Sequence, residues 1–538
     1  MHKKQAFSFK RCALMICEQD PNQLSLSGFE SFFERELDKD NRWVKLSRSI
    51  PWDKLSEAYA KKLSVDQGRP AKPARLVIGA VIIKHKLCLS DEETVRQIQE
   101  NPYLQYFLGF SGFKKEQPFA PSLFVEIRRR MGEDIFDSFE QAIIEELEKK
   151  KSTQSRSKKG GSGGDSGGST KGSGSSESNE EVTHQGKLIV DATVAEQAIR
   201  FPTDLGLLNE SREISEEIID ELYPKSGLEK KPRSYRRTAR KKYLATVKQR
   251  KPGAKKIRRG IKEQLQYLRR NLGHIDMLLD RIPGIHIPLP YKLLRKYWVI
   301  QHVYRQQEEM YRTNTKSCSD RIVSISQPHV RPIVRGKAEK KAEFGAKLSV
   351  SLTGDGIARV DRVSWDAFHE GEDLIDQVEG YKERYGYYPE AVLADPLYGT
   401  RDNRKYLKSR GIRFAGKPLG RPKVATEANR KELLKEKKRR REEYRQRIPI
   451  EGKFGQGKNG YRLNYIRAKS APTSEAWIKS IFLVMNLLVM SRIFILLLKK
   501  RALRAIYAFT TNLKEQMTRR FTFNTFYKPF VLPVRITF

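Results

Sequence analysis

The stretch KLIVDATV, residues 187–194, decides the fold, because Asp191 interrupts an apolar and β-branched run within it. Runs of this kind form strands that are buried in a sheet, and an unpaired carboxylate buried there is costly. The run AVLAD, residues 391–395, ends on Asp395 in a similar way. A bound divalent cation offsets the cost of burying such a charge, and divalent cations are also the ions that assist the cleavage of phosphodiester bonds. Asp191 and Asp395 are therefore candidate metal ligands and catalytic residues.

A third acid lies in a dense signature, EEYRQRIPIEGKFGQGKNGY, at residues 442–461. Four residues within it are spaced 3, 4 and 7 positions apart, namely Tyr444, Arg447, Glu451 and Lys458. On a continuous helix these positions share one face. Glu451 would then be the third catalytic acid and metal ligand, and the other three side chains would contact DNA phosphates.

Pro449 argues against a continuous helix through this signature. Proline is tolerated in the first turn of a helix, but it breaks a helix interior. We therefore expect the helix that carries Glu451 to begin near Ile448. Tyr444 and Arg447 are then expected on the approach to that helix.

Each candidate also has a simpler structural explanation. Asp191 could cap the end of a strand, and Asp395 could be a turn residue. Glu451 could be a solvated acid on a helix surface. Arg447 could form a salt bridge within the charged helix instead of contacting DNA.

The chain carries a large excess of positive charge. Its 538 residues include 105 Lys and Arg against 65 Asp and Glu, a formal net charge of +40. With a pI near 9.9, the expected partner is a polyanion, and nucleic acid is the default. A basic ribosomal protein or a membrane-surface protein is the alternative. The length suggests about three domains, which argues against a small ribosomal protein.

Cysteine and histidine give no indication of a zinc site. The four cysteines are scattered and form no CxxC pair, which argues against a zinc ribbon or finger. Their scarcity also argues against a disulfide framework and fits a reducing cytosol. His329 and His369 lie near predicted strand ends, and isolated histidines of this kind are expected to be structural or surface groups.

Two segments bear on the location of the protein. The first twenty residues lack a long apolar core and a convincing cleavage site, so no signal peptide is expected. Residues 481–500, IFLVMNLLVMSRIFILLLKK, approach the length of a membrane-spanning helix. Arg492 interrupts this run, and arginine near a bilayer centre costs about 2.5–3.5 kcal/mol. We therefore expect a helix buried against a sheet, no membrane contact, and a cytoplasmic protein.

The pattern along the chain predicts four regions. Residues 1–150 are mostly helical and suited to DNA-end binding or dimer contacts, with plain helical packing as the alternative. Residues 151–181 are a Gly/Ser-rich flexible linker. Residues 182–500 are typical of a mixed α/β sheet with flanking helices, interrupted by a helical insertion at about 205–320. Residues 501–538 form a C-terminal tail whose end looks unlike a structured core.

Strand patterns resume after the insertion. Two strands, 346–354 and 357–365, are predicted around a glycine turn, and a helix then leads to the strand that ends at Asp395. If that last strand pairs beside the first, Asp191 and Asp395 become neighbours. The insertion itself interleaves Lys and Arg with tyrosines and is broken near Pro252 and Gly253. It is therefore a candidate electrostatic track for DNA, with a solvated helical surface as the alternative.

Three acids from separate elements suit a two-metal phosphoryl-transfer site. Two Mg²⁺ ions about 3.5–4 Å apart can activate the attacking oxygen and stabilise the leaving one. Mg²⁺ keeps several waters and needs only a few carboxylates, and Mn²⁺ is an expected substitute. Without metal, such a cluster repels itself, which raises the pKa of at least one carboxyl.

The signature and several longer segments resemble the DDE transposases of the bacterial IS4/IS5 insertion-sequence superfamily, in particular IS5-type members. The spacing Tyr444-x2-Arg447-x3-Glu451-x6-Lys458 matches the YREK signature of that superfamily. DATVAEQAIRFPTDLGLLNESRE and SWDAFHEGEDLIDQVEGYKERYGYYPE are also similar. The resemblance covers roughly residues 60–145 and 185–490.

The resemblance implies an RNase H-like catalytic core that holds two metal ions on Asp191, Asp395 and Glu451. It also implies binding of the terminal inverted repeats, strand cleavage and strand transfer by an oligomer, expected to be a dimer, on double-stranded DNA. The insertion departs from the best-known IS4 pattern, in which a β-rich insertion lies between the second aspartate and the glutamate. No role is therefore carried over to it.

Two other functions stay open at this stage. A transposase-derived DNA-binding protein without catalysis would have the same charge, although the intact acids argue against it. A structure-specific DNA nuclease with the same core would cut branched DNA without joining the products. Metal-dependent nicking distinguishes a transposase from the first, and strand transfer distinguishes it from the second.

Overall fold

A computed structural model describes residues 32–61, 71–159, 184–284, 286–334, 342–416, 419–420 and 426–522. Residues 160–181 of the expected linker and residues 523–538 of the expected tail lie outside the described residues.

Residues 32–159 are mostly helical, as expected. The helices are α1 (Phe32–Glu36), α2 (Arg42–Ser49), α3 (Trp52–Ala60), α4 (Ala74–Leu87), α5 (Asp91–Glu100), α6 (Pro102–Phe107), α7 (Leu123–Arg130) and α8 (Glu133–Lys159). Local capping sets the start of α5, because Ser90 Oγ accepts a hydrogen bond from the Glu93 backbone N–H at 3.0 Å. Helix α8 continues to Lys159, so residues 151–159 of the expected linker are helical.

One mixed sheet contains the six strands of the described chain. They are β1 (Lys187–Glu196), β2 (Arg331–Val334), β3 (Ala342–Thr353), β4 (Ala358–Ser364), β5 (Ala391–Leu393) and β6 (Arg413–Ala415). Their order is β2-β3-β1-β5-β6, and β4 pairs with β3 on the edge that β3 also shares with β2. β1 is antiparallel to β3 and parallel to β5. The predicted mixed α/β sheet and the pairing of the last predicted strand beside the first are therefore confirmed.

Strands β2 and β6 are absent from the sequence prediction. They contain only four and three residues, and runs this short carry too little periodicity to be recognised. Both form because a neighbouring strand, β3 or β5, offers an edge for backbone hydrogen bonds.

The insertion between β1 and β2 is helical. It contains α9 (Asp204–Leu222), α10 (Arg236–Val247), α11 (Ala254–Arg281) and α12 (Tyr291–Thr313). The predicted break near Pro252 and Gly253 is confirmed by the gap between α10 and α11. Ile218, Ile275 and Ile300 belong to a hydrophobic core that includes none of the described strand residues. The insertion is therefore packed around a core of its own.

Two helix layers cover the sheet. The remaining helices are α13 (Leu374–Tyr385), α14 (Arg401–Ser409), α15 (Arg430–Gly460) and α16 (Ala471–Thr522). Leu188 and Val190 of β1 pack with Val378 of α13 and with residues of α14. Ile189, on the opposite face of β1, packs into the core that contains Ile450 of α15. This alternation follows from the two-residue period of a strand, and it puts Asp191 on the α15 side.

Helix α16 contains the apolar run that is long enough and apolar enough to cross a membrane on length and composition alone. More than half of its most apolar window is buried inside the protein, and Ile481 and Met490 are completely buried. Asn486, which interrupts the run, hydrogen-bonds both the backbone N–H and the carbonyl of Ala358 on β4, at 3.0 and 2.7 Å. The prediction of a helix buried against the sheet is thus confirmed. The helix extends to Thr522, so residues 501–522 of the expected tail are helical.

A buried charge cluster joins the N-terminal helices to α16. Lys84 pairs with Asp91 at 2.7 Å, and Arg128 donates two hydrogen bonds to the same carboxylate, at 3.0 and 2.8 Å. Both cations lie over the ring of Trp477, at 4.4 and 5.1 Å from its centroid. Asp91 is therefore the counter-ion of two buried cations at this junction.

His329 packs against an aromatic ring, and we expect it to make the stability of the fold sensitive to acid. Its ring packs edge-on against Trp365 at 4.4 Å, and burial, reinforced by two nearby arginines, lowers its pKa to about 4. The folded protein therefore favours the neutral ring more strongly than the unfolded chain does, in which the pKa is 6.5. The resulting contribution to stability is fully present above pH 6.5, and it is lost as the pH falls through 4. The variant His329→Phe keeps the ring contact but cannot take up a proton. On acidification, we expect its free energy of unfolding to fall by about 1–3 kcal/mol less than that of the wild type. Urea unfolding at neutral and acidic pH measures it.

The matched control for this prediction is His302→Gln, since His302 is an exposed histidine on α12. We expect this variant to keep the acid sensitivity of the wild type. Equal acid sensitivity of His329→Phe and the wild type would contradict the assignment to His329.

Candidate active site

The parallel pairing of β1 and β5 brings the two aspartates to one end of the sheet. Ile189 is the partner of Leu393 in this register. Asp191 and Asp395 lie two residues after Ile189 and Leu393, so both follow the paired segment at the same end. The charge of Asp395 is close enough to raise the pKa of Asp191. Two acids that are 204 positions apart in sequence (395 − 191) thus influence each other electrostatically.

Asp191 is a largely buried carboxylate with a raised pKa. Its side chain is 17% exposed, and its Oδ1 accepts a hydrogen bond from the Ala192 backbone N–H at 2.9 Å. Burial is the main cause of the raised pKa, and Glu370 and Asp395 add to it. The Ala192 N–H and Arg447 act in the opposite direction. This is the behaviour expected of an acid in a cluster of like charge.

Asp395 begins a short 3₁₀ turn, Pro396–Tyr398. Its Oδ1 accepts a hydrogen bond from the Leu397 backbone N–H at 3.3 Å, so the turn-residue explanation describes part of its role. The buried amide of Asn403 holds this turn against its neighbour, because it donates to the carbonyls of Tyr398 and Gly371 at 2.9 and 2.7 Å. The loop that carries Glu370 is therefore fixed beside the loop that carries Asp395.

Glu370 and Tyr398 are site residues that the sequence prediction missed. Glu370 is close enough to raise the pKa of Asp191, and it forms an ion pair with Lys347 at 3.0 Å. Tyr398 is completely buried, and its hydroxyl has no hydrogen-bond partner among the described residues. Burial and the nearby acids, Glu370 and Asp191 first, raise its pKa. The acidic run HEGED at 369–373 is a signal that could have identified Glu370.

Helix α15 runs without interruption through the signature and contains Pro449 in its interior. The prediction that a helix begins near Ile448 is therefore wrong. Proline removes one backbone hydrogen bond from a helix, but contacts with the sheet hold the two halves in line. Lys187 of β1 donates to Gln446 at 2.7 Å, Arg413 of β6 pairs with Glu443, and Ile450 is completely buried.

Arg447 connects two of the three candidate acids. Its Nη1 donates to Asp191 Oδ2 at 3.1 Å, and its Nη2 donates to Glu451 Oε1 at 2.5 Å. The arginine side chain is only 13% exposed, whereas that of Glu451 is 51% exposed. The alternative of a salt bridge within the helix is thus realised, together with a second bridge to β1. In this arrangement one positive charge faces two carboxylates, and both terminal nitrogens of Arg447 are engaged.

The other two signature residues lie on the same side of α15 but in different surroundings. Tyr444 is 64% exposed, and the Arg447 guanidinium is 5.7 Å from its ring centroid. Lys458 is 14 positions further along the helix (458 − 444) and lies 3.9 Å from Glu343 of β3. The structure therefore brings together Asp191, Arg447 and Glu451, with Tyr444 at their edge, and leaves Lys458 at the far end of the helix.

The donor set fits a hard divalent cation in its chemistry. All three candidate ligands are carboxylates, which Mg²⁺ prefers. The pKa of Asp191 is raised mainly by burial and also by the charges of Glu370 and Asp395, which a cation would offset. No group of three or more His, Cys, Asp or Glu in the described chain is arranged closely enough to hold a metal ion. The Arg447 guanidinium bridges Asp191 and Glu451 instead.

Comparisons with known proteins agree on one class. Residues 392–488 match a family model described as a transposase DDE domain, and residues 31–130 match one described as a transposase domain (DUF772). The first match includes Asp395 and the whole signature. DDE domains indicate an enzyme of the nuclease or transferase type, and they generally use divalent metal ions.

One curated relative and the solved structures complete the comparison. "Uncharacterized protein ORF8 in nfe locus" of Rhizobium meliloti is 38% identical over 102 residues, which is 19% of this chain and 49% of that protein. The chain thus spans about half the length of this relative. No solved structure matches. The two domain matches cover separate segments of the chain, and both are matches to transposase domains.

Proposed function

We propose that the protein is a transposase that binds the terminal inverted repeats of an insertion sequence and catalyses DNA strand cleavage and strand transfer. The single observation that carries the proposal is the parallel pairing of β1 with β5, because it gathers Asp191 and Asp395 at the end of the sheet that α15 crosses. The net charge of +40 supports double-stranded DNA as the substrate. An RNase H-like core and an IS5-type subfamily are part of the proposal.

The proposed chemistry has two steps at one carboxylate site. Water attacks a phosphodiester at the element end, which forms a new P–O bond and releases a 3′-hydroxyl. That hydroxyl then attacks a phosphodiester of target DNA by in-line displacement, and the target strand leaves with its own 3′-hydroxyl. Bound Mg²⁺, or Mn²⁺ in its place, would activate the attacking oxygen and stabilise the leaving one.

Residues of this chain have separate roles in the proposal. Asp191, Asp395 and Glu451 would hold the two metal ions. Arg447 orients Glu451 and balances the charge of the acids, while exposed Tyr444 is available to the DNA strand. Lys458 would contact DNA further along α15. We propose a dimer on DNA, with the protein in the bacterial cytoplasm at the nucleoid and away from the membrane.

A strand-transfer assay tests the proposed function. Donor duplexes that carry the inverted repeats flanking the reading frame are incubated with the protein, a target plasmid and Mg²⁺ or Mn²⁺. We expect covalently joined donor and target. Cleavage of branched DNA without joining would instead indicate a structure-specific nuclease. Binding without metal-dependent nicking of any inverted-repeat substrate would indicate a transposase-derived DNA-binding protein.

The Arg447 bridge makes a separate prediction that can be measured without DNA. Arg447→Gln removes a positive charge that competes with a divalent cation for the same oxygens. We expect the metal-free variant to be less stable by about 1–3 kcal/mol. We also expect Mn²⁺ to raise the thermal unfolding midpoint of the variant by more than it raises that of the wild type.

The control for this measurement is Arg445→Gln on the same helix, where the exposed Arg445 lies near Glu442. Its response to Mn²⁺ should equal that of the wild type. A smaller Mn²⁺ response in Arg447→Gln than in the wild type would show that Arg447 helps to build the metal site and does not compete with it.

A further inference from the structure

The insertion presents a surface with one sign of charge. Residues 230–262, which span α10, the loop after it and the first part of α11, contain sixteen Lys and Arg and no Asp or Glu. All sixteen are exposed. We call this segment the basic surface. A continuous stretch of positive charge attracts a polyanion, and without such a partner its cations repel one another.

The inner faces of the two helices explain why the charges point outward. Tyr243 and Thr246 of α10 are buried, and Gln264 of α11 donates a hydrogen bond to the Ala239 carbonyl at 3.1 Å. The apolar and amide groups therefore form the contact between the helices, and the cations are left on the solvent side.

Only a few of these cations have an acidic partner among the described residues. Lys242 and Arg259 share Glu263, and Lys231 and Arg236 share Asp220. The side chains of four others make no hydrogen bond or ion pair with any described residue: Lys241, Lys248, Arg250 and Lys251. Their charge is therefore free to be neutralised by a ligand. Release of condensed counterions from DNA is the main source of affinity for such groups.

Part of the basic surface is held in place by aromatic rings. The guanidinium groups of Arg233 and Arg270 lie 5.0 and 4.7 Å from the ring centroid of Tyr235. Stacking of this kind restricts an arginine without consuming its hydrogen-bond donors. These donors are thus presented in a fixed position at one end of α10.

We propose that the basic surface binds the phosphate backbone of duplex DNA without sequence preference. It thereby supplies affinity for the DNA on which the carboxylate site acts, and in this respect the inference rests on the proposed function. Phosphate contacts position a protein but carry no sequence information, which suits DNA whose sequence varies, such as a target. Because the insertion has its own core, its surface can be altered without disturbing the sheet that carries Asp191.

The test uses the full-length protein with four substitutions, Lys241→Gln, Lys248→Gln, Arg250→Gln and Lys251→Gln. Binding to two random-sequence DNA duplexes is measured by fluorescence anisotropy as a function of salt. We expect the slope of log affinity against log salt to fall by about 2–4, and the affinity near physiological salt to fall by about tenfold or more, equally for both duplexes.

The matched control removes the same number of positive charges from a part of the insertion where acids lie among the cations. The control carries four substitutions on or just after α12, where Glu308 and Glu309 are interspersed with the cations. They are Lys292→Gln, Arg305→Gln, Arg312→Gln and Lys316→Gln. We expect its affinity to fall by less than about threefold. An equal loss in both variants, or no loss in either, would overturn the proposal. Stronger binding of an RNA duplex of the same sequence would overturn it as well.

A second measurement does not depend on variants. Acetylation of surface lysines in the wild type, with and without DNA, should show protection of Lys241, Lys248 and Lys251 and none of Lys292 and Lys316. Absence of protection at the first three would overturn the proposal. Neither measurement requires cleavage. A protein that binds DNA through the basic surface but fails in strand transfer would therefore contradict the proposed function without contradicting the proposed role of this surface.

Discussion

Replacing any one of Asp191, Asp395 and Glu451 by its amide, as Asp191→Asn, Asp395→Asn or Glu451→Gln, is expected to abolish metal-dependent DNA cleavage. Each amide keeps the shape of the side chain but removes the negative charge that a divalent cation needs. Residues that act as a unit lose nearly all activity when one is removed, so we expect a fall of about 10³-fold or more in each case. Nicking of an inverted-repeat duplex in Mg²⁺ measures the effect.

DNA binding and folding should survive these substitutions. In Asp191→Asn, the amide oxygen can still accept the hydrogen bond that the Asp191 carboxylate accepts from the Ala192 N–H, and Arg447 keeps Glu451 as a partner. The matched control is Asp355→Asn, since Asp355 lies in the turn between β3 and β4 and pairs with Lys151. Wild-type cleavage by any one of the three variants would remove that acid from the mechanism, whereas loss of cleavage in the control would indicate a general effect of charge.

The second large effect is expected at the junction of the N-terminal helices with α16. Asp91→Asn removes the counter-ion of Lys84 and Arg128, whose side chains are 2% and 10% exposed. A buried charge that loses its partner costs about 3–5 kcal/mol. We expect α4 and α7 to open more often, and their backbone amides to exchange hydrogen about 100- to 4,000-fold faster than in the wild type.

Glu92→Gln is the control at this junction, because Glu92 is the exposed neighbour of Asp91 in the same first turn. It tests the loss of one acid at a helix N-terminus, which is worth only about 0.3–1 kcal/mol. Similar exchange rates in the two variants would mean that the cluster with Trp477 contributes little. Faster exchange confined to Asp91→Asn would support its role in joining the two transposase-like segments.

Much of the fold could be predicted because its signals are local. The apolar alternation around Asp191 predicts β1, Ser90 with the acids after it predicts the start of α5, and Pro252–Gly253 predicts the break between α10 and α11. Each of these signals comes from residues that are close together in the sequence. Strands β2 and β6 could not be predicted in this way, because a neighbouring strand and not their own pattern stabilises them.

The candidate site divides along the same line. The sequence by itself determined the three acids, the spacing of the signature and the charge of the insertion, since these are properties of residue type and position. Only the tertiary structure decided that α15 continues through Pro449, that Glu370 approaches Asp191, and that Arg447 bridges Asp191 to Glu451. The Arg447–Asp191 contact joins positions 256 residues apart. A contact at that separation forms only after the sheet has assembled, because its energy depends on burial and partners that no local pattern contains.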